Sequence, residues 1–321
     1  MKDPVLSVVI PNYNHAPYLP TALTSVLQQS FAPQEVVVID DGSTDRSLEV
    51  IADFARQHPA VRCHRNAHNL GIVANMNLGL ELARGQLLYF LGADDEALPG
   101  FFEPAVRLLD QYPAAPVVCG AVEWYEEPTG YRFYTGGATA RNPCYLDPAS
   151  LVRLEKRGRL ALSMTSSILR REAFLKAGGF HPELRWFTDW FALYTAAFRQ
   201  GICYLPQPGG RFNVRARGFS VRGQSTPEHL QVLCGLLDRL RNASDRAAAE
   251  RIRRSGALFQ FGWPLLRLTV RHREYRSFLT PAFTRKCLWQ IVRLEAKKFL
   301  PAPLARWYYR TFRWVDGVPR S

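Results

Sequence analysis

Along the first half of the chain, apolar residues fall in short unbroken runs separated by longer stretches in which they recur on a helical period. Leu6–Ile10, Glu35–Ile39 and Gln86–Leu91 are such runs, and Val61–His64 is a weaker one. Between them, Pro20–Gln29, the segment through Leu48, Ile51 and Phe54, Gly71–Ala83 and Phe101–Gln111 carry the spacing of amphipathic helices. Pro116–Val122 is a further strand. Runs with no polar face, alternating with helices, predict βαβ units around a mostly parallel sheet that is covered on both sides. Ser43 or Thr44 stands where it could cap the second helix.

Each main run ends in polar residues. Asn12-Tyr13-Asn14 follows the first, Asp40-Asp41-Gly42 the second and Gly92-Ala93-Asp94-Asp95 the one ending at Leu91. Open α/β sheets bind ligands outside the carboxyl ends of their strands, so these clusters predict one crevice and one site.

The pattern changes at Glu123–Pro143, which is aromatic, contains glycine and reads as hairpin. Ala173–Gly179 and Trp190–Arg199 read as helices, and Ile202–Leu205 as a final short strand. After about Gln224 the sequence is helical and increasingly basic, which divides the chain into a catalytic domain, 1–224, and a helical region, 225–321.

Charge sharpens that division. The net charge is +13, and residues 251–321 hold 16 Lys/Arg against Glu274, Glu295 and Asp316, so the whole excess lies in the tail. Leu288, Ile291, Val292 and Phe299 fall there at helical spacing, with Arg285, Lys286, Arg293, Lys297 and Lys298 between them and Trp263, Trp289, Trp307, Tyr308, Tyr309 and Trp314 interspersed. A basic helix with aromatics suits an anionic membrane surface. The plain alternative is a helical subdomain with a solvated basic face. No recognition motif supports a nucleic-acid partner.

The six cysteines form no CxxC pair, which suggests neither a zinc site nor a disulfide framework. Met1-Lys2-Asp3-Pro4 leads directly into a strand-like run, without the pattern of a signal peptide, and no stretch of 18 apolar residues occurs. These features predict a cytoplasmic protein, peripheral at the inner face of the cell membrane if the tail binds lipid.

The candidate chemistry lies in the acids. Asp40 and Asp41 could accept hydrogen bonds from a ribose hydroxyl or a base N–H, or could simply belong to a turn before a helix. Asp94 and Asp95, adjacent after a buried strand, repel each other less if a divalent cation binds; Mg²⁺ and Mn²⁺ are usually held by one or two carboxylates plus substrate phosphates. Asp189, among Trp186, Phe187 and Trp190 at a helix start, could be desolvated enough to act as a base, or could be an ordinary first-turn acid.

Taken in order over about residues 5–215, these segments resemble the inverting glycosyltransferases of family 2, whose fold is GT-A. The resemblance is carried by Val8-Val9-Ile10-Pro11-Asn12-Tyr13-Asn14, Val37-Val38-Ile39-Asp40-Asp41-Gly42-Ser43-Thr44-Asp45, Asn69-Leu70-Gly71, Asn77-Leu78-Gly79, Ala83-Arg84-Gly85, Tyr89-Phe90-Leu91-Gly92-Ala93-Asp94-Asp95 with Pro99, and Gly178-Gly179-Phe180 with Thr188-Asp189-Trp190. It implies a nucleotide-sugar site lined by Pro11, Tyr13, Asp40, Asp41, Asn69, Asp94 and Asp95. Tyr13 would lie against the base, Asp41 with Asp40 would contact base or ribose, and Asp94 would hold Mn²⁺ or Mg²⁺ on the diphosphate. Asp95 would support Asp94 or touch the sugar, and Asp189 would be the general base. A UDP-sugar donor and a glycan or lipid-linked acceptor follow from the same resemblance.

The chain also departs from the family pattern. The first acid of Asp-x-Asp is Gly92, the Glu-Asp pair before the last helix is Thr188-Asp189, and Phe212-Asn213-Val214-Arg215 matches a Tyr-Arg-x-His stretch loosely, with Arg215 able to pair with phosphate. The Gln-x-x-Arg-Trp motif of processive synthases is absent, which implies transfer of single sugars. A nucleotidyltransferase would want a Gly-rich, Arg-containing loop after the first strand, where this chain has Pro11-Asn12-Tyr13-Asn14-His15. A non-catalytic protein that kept the fold is the alternative reading; Gly92 favours it, whereas Asp94 and Asp189 oppose it.

Overall fold

A computed structural model describes residues 5–127, 129–214, 223 and 227–297, the last five and Ile291 by their backbone alone. The apolar runs become the centre of a ten-stranded sheet. β1 (Leu6–Asn12), β2 (Glu35–Asp40), β3 (Val61–Arg65) and β4 (Leu87–Phe90) are joined through α1 (Leu19–Leu27), α2 (Ser47–Gln57) and α3 (Ile72–Leu82). All four strands run parallel in the order β3-β2-β1-β4. The β1 and β2 side chains are buried throughout, as expected for strands covered on both faces.

Beyond β4 the sheet is mixed rather than parallel. β9 (Ser167–Arg170) lies between β4 and β6 (Val117–Glu126) and is antiparallel to both. It enters the sheet directly from a one-turn 3-10 helix at Met164–Ser166. The hairpin expected after Glu123 is β6 with β7 (Tyr131–Thr135), and β8 (Cys144–Leu146) pairs with β10 (Ile202–Asn213).

β10 is much longer than the short strand its first residues predict. Pro206 and Pro208 would normally end a strand, but the register shifts between Leu205 and Pro208 and again before Gly210, so irregular pairing takes up the residues that lack a donor. Gly209 and Gly210 then pass so close to Ser166 Oγ and the Thr165 carbonyl that a Cβ on either would collide. The extension carries β10 to β5 (Glu96–Ala97), antiparallel, beside the loop that follows β4.

α4 (Phe102–Gln111) covers one face of the sheet, while α5 (Pro148–Lys156), α6 (Arg171–Lys176) and α7 (Thr188–Gln200) follow in the second half of the domain. The region after 224 is helical where described: α8 (His229–Arg241), α9 (Arg246–Ser255), α10 (Gly262–Arg271) and α11 (Pro281–Lys297). Its core residues Leu236, Ile252, Leu265 and Phe283 belong to the same buried cluster as Val9, Leu151 and Phe198 of the first region. Lys286, expected among the basic residues facing an anionic surface or solvent, is instead turned inward onto Glu155 of α5 (Nζ–Oε1, 2.7 Å). Trp307, Tyr308, Tyr309, Trp314, Lys298, Phe299 and Arg215 lie outside the described residues.

Candidate functional site

The carboxyl ends of β1 and β2 are tied together by side chains that the sheet places side by side. Asn12 and Asp40 are partners in the register, and Asn12 Nδ2 donates to Asp40 Oδ2 (2.9 Å) and reaches Ser43 Oγ (3.2 Å). Asp40 Oδ1 accepts from the Ser43 amide (3.0 Å). Asp40 is fully buried, and both of its oxygens serve this turn.

Neither Ser43 nor Thr44 caps α2. The helix starts at Ser47, whose amide donates to Asp45 Oδ1 (2.9 Å). Ser43 Oγ instead accepts the Asn14 amide (3.0 Å), and Asn14 Oδ1 accepts the Thr44 amide (2.8 Å). Asn14 holds the left-handed conformation (φ 56°), tolerable for asparagine, and leaves Tyr13 exposed at the crevice edge. Pro11 is buried within β1.

Asp41 holds a second loop. Its Oδ1 accepts from Asn66 Nδ2 and from the Leu70 amide (both 2.8 Å), and its Oδ2 from the Gly71 amide (2.9 Å). Asn66 also donates to Asn75 Oδ1 on α3 (2.7 Å). The exposed Asn69 sits on the loop so fastened. Asn66 was not singled out from sequence, although it stands immediately past β3 as the other polar residues stand past their strands.

Asp94 and Asp95 follow β4, which lies next to β1; the Leu91 amide donates to the Val9 carbonyl (3.0 Å). The turn closes with the Asp95 amide on the Gly92 carbonyl (3.0 Å). Asp95 is buried and its Oδ1 accepts the Asn213 amide of β10 (2.9 Å), while Asn213 Nδ2 donates to the Asp94 carbonyl (2.7 Å). Asp94 keeps its side chain partly exposed. Behind the turn, Arg211 pairs with Glu96 (2.9 Å) and with Glu123, fixing β10 to β5 and β6.

Asp189 stands apart on the first turn of α7, and its Oδ1 accepts the amide of Trp190 (2.7 Å). The surrounding surface is aromatic. Phe187 and Trp190 both pack edge-on against Phe261 from the C-terminal region, with ring centroids 4.5 and 4.8 Å apart. Asp189 is half-buried, and desolvation pushes its carboxyl above its usual 3.8, against the opposing pull of the Trp190 amide.

Among the described residues no group of three or more His, Cys, Asp or Glu side chains is placed to enclose a metal. An ion held by one or two carboxylates and completed by substrate phosphates needs no such group, and the partly exposed Asp94 has oxygen donors of the kind it takes. Two open clefts lie elsewhere: one of about 390 Å³ where Lys156, Arg253 and Thr280 meet, the other of about 350 Å³ beside Asn77 and Gly179. The strand-end crevice is identified by its chemistry rather than by its volume.

The profile of "Glycosyl transferase family 2" matches residues 7–177, so the chain belongs to glycosyltransferase family 2. It is similar to an uncharacterized protein, MT1568, of Mycobacterium tuberculosis (29% identical over 63% of this chain and 65% of that protein). It is also similar to the uncharacterized glycosyltransferases YibD of Escherichia coli (34%, over 39% of this chain and 36% of that protein) and EpsJ of Bacillus subtilis (26%, over 61% and 57%). The match thus spans between about a third and two thirds of the length of these relatives. In fold the chain is similar to S. aureus TarS 1–349 in complex with UDP-GlcNAc (TM-score 0.64, 18% identity, 98% of this chain and 89% of that one). It is likewise similar to GalNAc-T7 with UDP, GalNAc and Mn2+ (TM-score 0.56, 18% identity, 79% and 51%). The architecture is the GT-A arrangement, a central sheet between helices with helices appended at the C-terminus.

Proposed function

We propose that this protein transfers one sugar from a nucleotide-diphosphate sugar, a UDP-sugar by preference, to a hydroxyl of a glycan or lipid-linked acceptor, with inversion at the anomeric carbon. The observation that carries the reading is the gathering of Asp40, Asp41 and Asp94 at adjacent strand ends in a family 2 chain. Tyr13 and Asn69, both exposed, offer surface to the base and ribose, with Pro11 buried in the strand beneath Tyr13, and Asp41 supports Asn69 by holding the 66–71 loop. Asp94 would hold Mn²⁺ or Mg²⁺. Such an ion supplies neutralising charge for the departing diphosphate.

Asp189 takes the proton of the acceptor hydroxyl as that oxygen forms its bond to the anomeric carbon. The bond from that carbon to the diphosphate breaks on the opposite face, and the nucleoside diphosphate leaves with the electron pair. A single displacement of this kind inverts the centre and needs no covalent nucleophile. A carboxylate whose acidity is weakened by desolvation is better suited to accept a proton near neutral pH than a fully exposed one.

No helix among the described residues is long and apolar enough to cross a membrane. The tail is assigned to an anionic membrane surface. Leu288, Trp289 and Val292 on α11 are 54, 55 and 65% exposed, and Arg285 is exposed beside them. The protein would then work at the inner face of the cell membrane.

The test is a panel of nucleotide sugars assayed for nucleoside diphosphate release with and without acceptor, in Mn²⁺ and in chelator. Release from one donor that rises with acceptor supports transfer. Binding of a donor without release from any of them favours the non-catalytic alternative.

A further inference from the structure

The acid turn after β4 is gripped from one side by a residue that plays no part in the reading above. Asn213, the last residue of β10, donates its backbone amide to Asp95 Oδ1 (2.9 Å) and its side-chain Nδ2 to the Asp94 carbonyl (2.7 Å). These bonds hold the two adjacent acids at different places, one by its carboxylate and the other by its backbone. Asp95 is thereby turned inward, 6% exposed, whereas Asp94 stays partly exposed.

The inward turn of Asp95 depends on residue 92. A Cβ built on Gly92 would lie 2.8 Å from Asp95 Oδ2 and 3.3 Å from Asp94 Oδ1. Any side chain there would push the Asp95 carboxylate off its seat. The glycine that interrupts the family's acid motif is therefore the residue that makes room for the clamp.

β10 is itself held firmly where it grips. Gly210 and Arg211 pair with Ala97 and Glu96, and Arg211 is fixed by Glu96 and Glu123. Asn213 is thus a rigid point from which the turn is aimed.

We propose that Asn213 is a positioning residue for Asp94, and that Asp95 and Gly92 complete the same device: Asp95 anchors the turn and does not contact the donor. This rests on the reading of Asp94 as the acid that meets the metal and diphosphate.

The test uses the full chain and UDP as probe, titrated calorimetrically in Mn²⁺ and in EDTA, with thermal midpoints measured in parallel. Asn213→Ala removes the bond to the Asp94 carbonyl and keeps the amide bond to Asp95. Asn213→Asp keeps the shape and removes the donor. Asn213→His offers Nδ1–H at nearly the same place. Ala and Asp should each weaken the Mn²⁺-dependent UDP affinity by roughly tenfold, in the range typical for groups that orient a metal ligand, and His should recover most of it. That recovery should occur without a matching rise in thermal midpoint, which a purely structural role would demand. Wild-type Mn²⁺-dependent affinity in Asn213→Ala overturns the proposal. If the wild type binds UDP equally in Mn²⁺ and EDTA, the metal reading of Asp94 has failed instead. The clamp is then judged on UDP affinity in EDTA, where no change in Asn213→Ala overturns it as well.

Discussion

Glu155 on α5 and Lys286 on α11 form an ion pair (2.7 Å) that is almost wholly removed from water, side chains 3 and 10% exposed, and join residues 131 positions apart. Lys286 also lies 4.4 Å from the centre of the Phe259 ring. Burial pushes the Glu155 carboxyl up, and the ammonium of Lys286 only partly offsets it. The contact fastens the last described helix to the first region.

Removing one partner leaves the other charge buried alone. Lys286→Ala should destabilise the protein by about 3–5 kcal/mol in urea unfolding. Replacing both, Glu155→Leu with Lys286→Met, should cost far less than the single change. A Lys286→Ala loss below about 1 kcal/mol would mean that the pair is solvated in solution.

For Asp189 the pH dependence has a defined sign. Its folded pKa is raised, so turnover should fall as pH drops through a value above 3.8, where the base becomes protonated. Asp189→Asn should lower kcat by about 10²–10⁴ while leaving UDP affinity near wild type. The same shift bears on stability. The fold favours the neutral carboxyl, so its contribution is present at low pH and is lost as pH rises through the folded pKa. Asp189→Asn should therefore be no less stable than wild type at pH 7. Near-normal turnover in that variant would place the base elsewhere.

Asp94→Asn should abolish the difference between UDP affinities in Mn²⁺ and in EDTA, with little change in the thermal midpoint because the side chain is partly exposed. Calorimetry on the folded variant decides it, and an intact Mn²⁺ effect would count against Asp94 as the metal acid.

Asp41 accepts hydrogen bonds from Asn66, Leu70 and Gly71, so its loss should loosen one loop. Asp41→Ala should cost about 3 kcal/mol in stability. Amide exchange at Leu70 and Gly71 should quicken with no comparable change at Val37 or Val38 in β2. Uniform acceleration would indicate a global rather than a local role.

At the tail, Leu288→Gln with Val292→Gln removes apolar surface and leaves the charge. Binding of the full chain to vesicles containing phosphatidylserine should fall by at least about fivefold and should weaken further with salt. Vesicle binding unchanged in the double variant would argue against this face as the contact.

The sequence reading located the parallel half of the sheet closely because a run such as Val36–Ile39, buried on both faces, has no polar residues to obscure its limits. The strand-end rule pointed to Asp40, Asp41 and Asp94, and the structure gives both oxygens of Asp40 and of Asp41 to the turn and loop beside them. What it missed depends on contacts distant in the chain. Asn213 becomes significant only because β10 continues through Pro206 and Pro208, which locally argue for a break. Ser43 looked like a helix cap, yet its hydroxyl is taken by Asn14, 29 residues away. Lys286 had the spacing of a surface basic residue, and only the packing of α11 on α5 reveals its buried partner.

Phe261 gives the C-terminal helices a reach that their charge does not suggest. Its ring packs against Phe187 and Trp190, which flank Asp189 in the chain at the start of α7. The family profile ends at residue 177, before Asp189 and well before Phe261. Proteins that share only the matched segment are therefore free to differ in what surrounds residue 189. Selection on the C-terminal helices can then reshape the start of α7 while the strands of the matched segment stay the same.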